Sequence, residues 1–380
     1  MAIKNSSFVF GVSVSDYNFI GRQQESRTLK MNFEEGINTI IISPRRWGKT
    51  SLVKHVMKMV DQESVLPVYV DIFGCKSEYE FYNRLTEALL KQTSSGVDRW
   101  MENARDFLAR LTPKISISPE PLSDFSLSLG ISPKTHSPEE ILSLAESIAT
   151  KKDRRIVICI DEFQQIGEMA DSVSIQKRLR GVWQHQKHVS YCLFGSKKHM
   201  MSDIFQNKRM PLYQFGDLMF LPKIPTEQWA EYIISHFQDR HRTISHDLAV
   251  RICTEVEGYS SYVQQLAWHV FSLLDEGETA TDEHINAAMR NLLNSCEHLF
   301  MQQTNPLTEY QMNFLRAIVQ GIHSEFGETS IRESFNLGSA SNITRLKTAL
   351  TNAELIEADG RRIVLTDPVF ACWFKMRFVD

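Results

Sequence analysis

No stretch of the 380-residue sequence holds enough consecutive apolar residues to cross a membrane, and Phe8-Val9-Phe10 is too short for the core of a signal peptide. A chain that works in water is expected, in the cytoplasm and with no membrane partner. Cysteine is sparse: six residues, widely scattered, with no CxxC pair, and Cys159 and Cys192 lie inside apolar strand-like runs. That spacing argues against a disulfide framework or a metal cluster and fits reduced, buried thiols in a reducing compartment. An excess of positive charge is also missing. With 42 Lys/Arg against 46 Asp/Glu, the net charge of −4 gives no global reason to expect nucleic acid or an anionic membrane. Internal repeats and low-complexity tracts are absent.

What is present is ordinary for a globular protein, at 42% hydrophobic and 23% charged residues, and the length suffices for two or three domains. His185 and His188 fall one turn apart on an expected helix, but no acidic or cysteine partner at matching spacing supports a zinc site.

The stretch from Thr39 to Val53 carries the strongest signal. An apolar run, Ile40-Ile41-Ile42, ends at Ser43-Pro44-Arg45-Arg46-Trp47, and Gly48-Lys49-Thr50-Ser51 opens a helical pattern. A strand, a tight loop and a helix N-terminus aim backbone N–H groups and the positive end of a helix dipole at one point. Lys49 can reach a β- or γ-phosphate, and the Thr50 hydroxyl can ligate Mg²⁺. The loop reads as a phosphate-binding P-loop with one departure from GxxxxGK[ST]: Ser43 stands where glycine is usual. Pro44 favours an extended residue before it, so Ser43 can finish the strand while Gly48 supplies the sharp turn. A chance Gly-Lys-Thr is the competing interpretation. The strand before, the helix after and two arginines within the loop weigh against it.

About 110 residues downstream, Arg155-Ile156-Val157-Ile158-Cys159-Ile160 delivers Asp161 and Glu162 to the end of a buried strand. Open α/β sheets bind ligands at that edge. In an NTPase the first acid holds Mg²⁺, and the second orients or deprotonates the attacking water. A third strand, Ser190 to Gly195, ends at Ser196, placed to sense a γ-phosphate or to cap the following helix. Glu162, Lys49 and Ser196 are therefore the catalytic candidates, with Thr50 and Asp161 on the metal. Upstream, Phe19-Ile20-Gly21-Arg22 precedes a helix, where a segment often closes over the adenine.

Strand–helix alternation through residue 222 signals a parallel sheet covered by helices. Residues 94–137 interrupt it with two alternating runs, Lys114 to Ser118 and Asp124 to Leu129, expected as a hairpin-like excursion. One helix is expected from Pro138 to about Thr150, behind a Ser137 cap. Residues 223–300 read as four helices, a small lid. From Pro306, three helices and a hairpin around Asp359-Gly360-Arg361 follow the order of a winged helix-turn-helix over 306–380. That last module has eight Lys/Arg against nine Asp/Glu, and its reading helix, Ala340 to Ala353, carries only Arg345 and Lys347. DNA and protein are thus equally open as its partner. Self-association is also left open.

The FIGR, SPRRWGKTSL, RIVICIDEFQ and LFGSKKHMM stretches, the helical lid and the closing LTDPVFACW together resemble the AAA+-like ATPases of archaeal type, close to the signal-transduction (STAND) ATPases. The resemblance covers nearly the whole chain. It implies a P-loop NTPase core with sheet order 5-1-4-3-2, a lid and a winged helix. It also implies ATP or ADP with Mg²⁺, bound by Ser43, Pro44, Arg45, Arg46, Trp47, Gly48, Lys49, Thr50 and Ser51, and by Phe19, Ile20, Gly21 and Arg22. Relatives of this kind act as molecular switches or DNA-associated ATPases. Gly258-Tyr259-Ser260 replaces a usual Gly-x-Pro, no arginine stands at or near Ser261, and Tyr213-Gln214-Phe215 replaces Tyr-Gly-Arg. Arg209, Arg45 and Arg46 are the arginines left to reach the nucleotide. The expectation is an ATP-binding, ATP-hydrolysing switch. The alternatives are a DNA-binding ATPase of a mobile element or repair process, and an ADP-bound interaction module that does not cycle.

Overall fold

The computed structural model describes residues 8–14, 16–93 and 137–379, in two compact units. The larger unit spans 13–222. Within it, α1 (Gln23–Glu35) leads into β1 (Thr39–Ile42), α2 (Lys49–Met59), β2 (Val65–Asp71) and α3 (Glu78–Thr93). The expected excursion over 94–136 lies outside the described residues. Next come α4 (Pro138–Leu142), α5 (Leu144–Lys152), β3 (Arg155–Asp161), α6 (Gln165–Glu168), α7 (Ser172–Trp183), β4 (Val189–Gly195), α8 (Lys198–Gln206) and β5 (Asp217–Phe220).

The five strands form one parallel sheet of order β2-β3-β4-β1-β5, so the expected 5-1-4-3-2 order holds. Because side chains alternate along a strand, each strand feeds two cores. Val157 and Cys159 of β3, with Ile41, Cys192 and Phe194, pack against Leu29 and Phe33 of α1 and Leu52, Val53 and Val56 of α2. Ile156, Ile158 and Ile160 turn the other way, toward Phe81 and Leu85 of α3 and Leu179 of α7. This alternation puts Asp161 on the same face as α2.

Asn38 ties β1 to both neighbours before the strand begins. Its side chain accepts from the Tyr191 N–H at 2.9 Å and donates to the Phe215 carbonyl at 3.3 Å, while its carbonyl accepts from the Asp217 N–H at 2.8 Å. Gly216 makes that approach feasible, since a Cβ there would lie 2.4 Å from the Asn38 carbonyl oxygen.

Two local expectations change. The single helix over 138–150 is two, because Ser143 interrupts it and serves as the C-cap of α4 and N-cap of α5. Ser137 does cap α4, in a capping box with Glu140. His185 and His188 lie beyond the end of α7 rather than on it, and His188 bonds Glu146 at 2.8 Å. They share no helix face, which removes the spacing behind a zinc pair.

The second unit contains residues 8–12 and 223–379. It runs α9 (Thr226–Gln238), α10 (His246–Glu255), α11 (Ser260–Ser272) and α12 (Asp282–Thr304), then α13 (Glu309–Val319), α14 (Thr329–Ser334), α15 (Ala340–Asn352), the antiparallel hairpin β6 (Ile356–Asp359) and β7 (Arg362–Leu365), and α16 (Pro368–Phe378). Thr308 and Gln311 make the expected capping box of α13. Phe8 is buried in this unit among Tyr232, His236, Phe237 and Phe271. Tyr262 donates to Asp367 at 2.6 Å, and the other oxygen of Asp367 caps α16. Among the described residues no helix is long and apolar enough to cross a membrane.

Two glycine substitutions separate space from conformation. Gly216→Ala is expected to cost about 1–3 kcal/mol, because backbone must move to admit the methyl. Gly181→Ala, within α7 and meeting nothing within 4 Å, is expected to gain about 0.5–1 kcal/mol. Urea unfolding of the two variants beside wild type measures both.

Candidate functional site

Three parallel strands, β1, β4 and β3, end side by side at one edge of the sheet, so the residues that follow them converge. After β1, Ser43 is buried and the chain turns through Arg46 and Gly48 with φ of 66° and 88°. No heavy atom lies within 4 Å of a Cβ built on Gly48, so glycine is wanted there for its backbone conformation rather than for room. Gly48 then serves as the N-cap of α2 without a capping side chain, which leaves the helix's first N–H groups facing the loop.

Lys49 is 6% exposed, and its Nζ donates to the carbonyls of Ser43 and Pro44, each at 2.8 Å. Burial pulls its pKa down to about 8 against the opposing pull of Glu162 and Asp161, while the positive Arg45 adds to the lowering. The ammonium is thus held over the loop by two carbonyls.

Asp161 receives two hydroxyls on one oxygen: Thr50 Oγ1 at 2.7 Å and Tyr69 at 2.8 Å. Its other oxygen accepts the Glu162 N–H at 2.9 Å. Burial raises the Asp161 pKa, and the Thr50 and Tyr69 hydrogen bonds oppose the rise. Glu162 sits at a φ of 56°, a backbone state that costs a non-glycine residue on the order of 1–3 kcal/mol and is concentrated at functional sites. Its Oε2 accepts from Ser196 Oγ at 2.9 Å and from the Gln164 side-chain amide. Ser196 in turn accepts from Arg45 Nε at 3.3 Å. Lys197, not Ser196, occupies the N-cap of α8, so the Ser196 hydroxyl serves the carboxylate rather than the helix.

The remaining candidates are arranged around this centre. Arg22, buried and in a left-handed conformation like Gly21 before it, bonds Glu25 and reaches the Trp47 carbonyl at 3.2 Å. Phe19 stacks on His55 of α2 with ring centres 3.9 Å apart, and Ile20, next in the chain, is half-buried. The Ser51 hydroxyl accepts the Val14 N–H at 3.2 Å. Arg46 is exposed at the loop's apex. The structure therefore brings Ser43, Pro44, Arg45, Lys49, Thr50, Asp161, Glu162 and Ser196 into one connected cluster and sets Phe19–Arg22 behind the loop. Phe215, where the family pattern has arginine, is buried beside Trp183 and Tyr191. Arg209 is exposed.

Two members of the cluster were not expected: Tyr69 and Gln164. Tyr69 lies level with Cys159 and one diagonal step from Asp161. Gln164 is fully buried, and a Cβ on Gly195 would fall 1.9 Å from its Oε1. Both could be found once β2 is placed beside β3 and β3 beside β4.

Chemically, Mg²⁺ prefers hard oxygens, typically one or two carboxylates plus ligand phosphates, and the Thr50 hydroxyl with the Asp161 carboxylate is such a set. A helix N-terminus with a buried ammonium beside it suits an oligophosphate. The donors present fit Mg²⁺ and a nucleotide.

No protein-family model matches the sequence, and no curated protein matches it. Solved structures do. The chain is similar to a Walker-type ATPase of Pyrococcus abyssi, with a TM-score of 0.70 at 15% identity, over 97% of this chain and 100% of the other. It is also similar to the ORC2 protein of Aeropyrum pernix in ADPNP–ADP complexes, with a TM-score of 0.54 at 13% identity over 96% and 98% of the two chains. The ORC1 protein of the same organism, in complex with DNA, gives 0.51 at 12% identity over 98% of each. At these identities the likeness shows the fold alone, an α/β architecture shared with those proteins along nearly the whole chain.

The position of Lys49 sets a pH signature. Its pKa is lower folded than unfolded, so between pH 8 and its usual 10.5 the unfolded chain binds the extra proton and folding becomes more favourable as pH rises. Wild type is expected to gain stability relative to Lys49→Met across that window, read from paired urea midpoints at pH 7.5 and 10. A constant difference would place the ammonium in water.

Proposed function

We propose that this protein binds ATP with Mg²⁺ and hydrolyses it, as an AAA+-like molecular switch related to the signal-transduction ATPases. The observation that carries the reading is the Thr50–Asp161 contact at 2.7 Å, which unites the loop with a carboxylate 111 residues away. On this reading, the N–H groups of the Ser43–Ser51 loop and Lys49 hold the phosphates. Thr50 and Asp161 hold the metal, which when bound neutralises charge developing on the phosphates. Glu162 orients and deprotonates water, and Ser196, bonded to Glu162, senses the γ-phosphate. Arg45 touches Ser196, so it is the loop arginine set to report phosphate occupancy to Glu162. Phe19–Arg22 closes the base side.

The domain reading that accompanies it takes residues 1–222 as the nucleotide core, less residues 8–12, which belong to the second compact unit, 223–300 as the lid and 306–380 as a winged helix whose position follows nucleotide state. The order α13-α14-α15-β6-β7-α16 supports the last assignment. Six cysteines, four of them buried, suit the cytoplasm. A DNA-associated ATPase is the second reading. It is favoured by the likeness to the DNA-bound ORC1 structure and by an exposed Thr344, Arg345 and Thr348 face on α15. Loss of low-salt DNA binding on neutralising Arg345 and Lys347 would support it.

Steady-state turnover and nucleotide binding test the main reading together. Lys49→Ala is expected to lose nucleotide affinity. Glu162→Gln should keep ATP and lose about 10²–10⁴-fold in turnover, the usual contribution of a positioned base. Equal ATP affinity in wild type and Lys49→Ala would sink the assignment.

A further inference from the structure

The carboxylate of Asp161 is fixed by donors from three elements: Thr50 at the start of α2, Tyr69 on β2 and the Glu162 N–H beyond β3. Under the nucleotide–Mg²⁺ reading, on which this inference rests, the Thr50 hydroxyl is itself a metal ligand. Among the described residues, only Tyr69 then remains as a side-chain donor devoted to Asp161. We propose that Tyr69 is a positioning residue for the metal site, holding the Asp161 carboxylate in the orientation that binds Mg²⁺ with nucleotide.

The residue is built for such a task. Tyr69 lies on the edge strand, where no further strand pairs with it among the described residues, yet its backbone is not loose. The Gln92 side-chain amide takes the place of a neighbouring strand, accepting from the Tyr69 N–H and donating to its carbonyl, each at 3.0 Å. The Lys54 ammonium lies 4.5 Å from the centre of its ring. Backbone, ring and hydroxyl are thus each held by a different partner, from α3, α2 and β3. The phenol hydroxyl donates to Asp161 Oδ2 at 2.8 Å, on the same oxygen that Thr50 reaches. Partners of this kind, bonded to a ligand rather than to the metal, commonly account for 10–100-fold of metal affinity. A structural role alone, satisfying a buried carboxylate, would alter stability without altering the response to metal.

The test is fluorescence titration of a mant-ATP probe with wild type, Tyr69→Phe and Gln92→Ala, without metal and then against rising Mg²⁺, with thermal midpoints recorded alongside. Phe keeps the ring under Lys54 and removes only the hydroxyl. The expected result is unchanged metal-free affinity in Tyr69→Phe, with the Mg²⁺ concentration for half of the metal-dependent gain raised about 10–100-fold. Gln92→Ala should shift the same way by less. An unchanged Mg²⁺ midpoint in Tyr69→Phe overturns the proposal, as does an equal loss of metal-free and metal-dependent binding. A wild type that binds the probe but gains nothing from Mg²⁺ removes the metal site and the Tyr69 role together. Failure of wild type to bind the probe at all would instead reject the nucleotide reading, and it is seen before any variant is compared.

Discussion

The Asp161 carboxylate meets the Thr50 hydroxyl at 2.7 Å, and that contact between residues 111 apart exists because β3 and the β1–α2 loop end at the same edge of one parallel sheet. Everything around it serves this convergence. The two-sided core fixes which residues of β3 face α2, so Asp161 arrives on the helix side while Ile160 goes to the opposite core. Asn38 fixes β1 laterally against β4 and β5 before the loop begins. A one-residue slip in any of these strands would send its terminal carboxylate or loop to the wrong face.

The site works against the stability of the fold that holds it. Lys49 is buried with a depressed pKa, Asp161 is buried with a raised one, and Glu162 adopts a left-handed backbone. Each is unfavourable in a folded chain taken alone. Each is partly offset locally: two carbonyls on Lys49, two hydroxyls on Asp161, and the Asp161–Glu162 backbone bond that closes the turn. Charged groups held out of water in fixed orientation interact with a ligand more strongly than the same groups in solvent. The strain is therefore intelligible as pre-organisation.

How much was legible in the sequence follows from the range of each interaction. The loop, the Asp-Glu pair, the parallel sheet and the Ser137 and Thr308 caps were readable because their signals are local or follow from strand–helix alternation, whereas the sheet order followed only from the family resemblance. The break at Ser143 was missed, since its flanks both carry helical pattern. His185 and His188 were placed on a helix because the polar end of α7 gives no stop signal. Tyr69 and Gln164 were missed for a different reason. Their roles depend on which strand lies beside which and at what register, so a tyrosine two residues before Asp71 acquires meaning only when Asp71 is level with Asp161.

The proposed function requires that Asp161 and the loop share a single Mg²⁺-nucleotide site. Calorimetric titration of ATP into wild type and Asp161→Asn, each with and without Mg²⁺, measures it directly. Mg²⁺ is expected to strengthen ATP binding to wild type, and Asp161→Asn to abolish that gain while leaving metal-free binding intact. An equal Mg²⁺ gain in both proteins would contradict it.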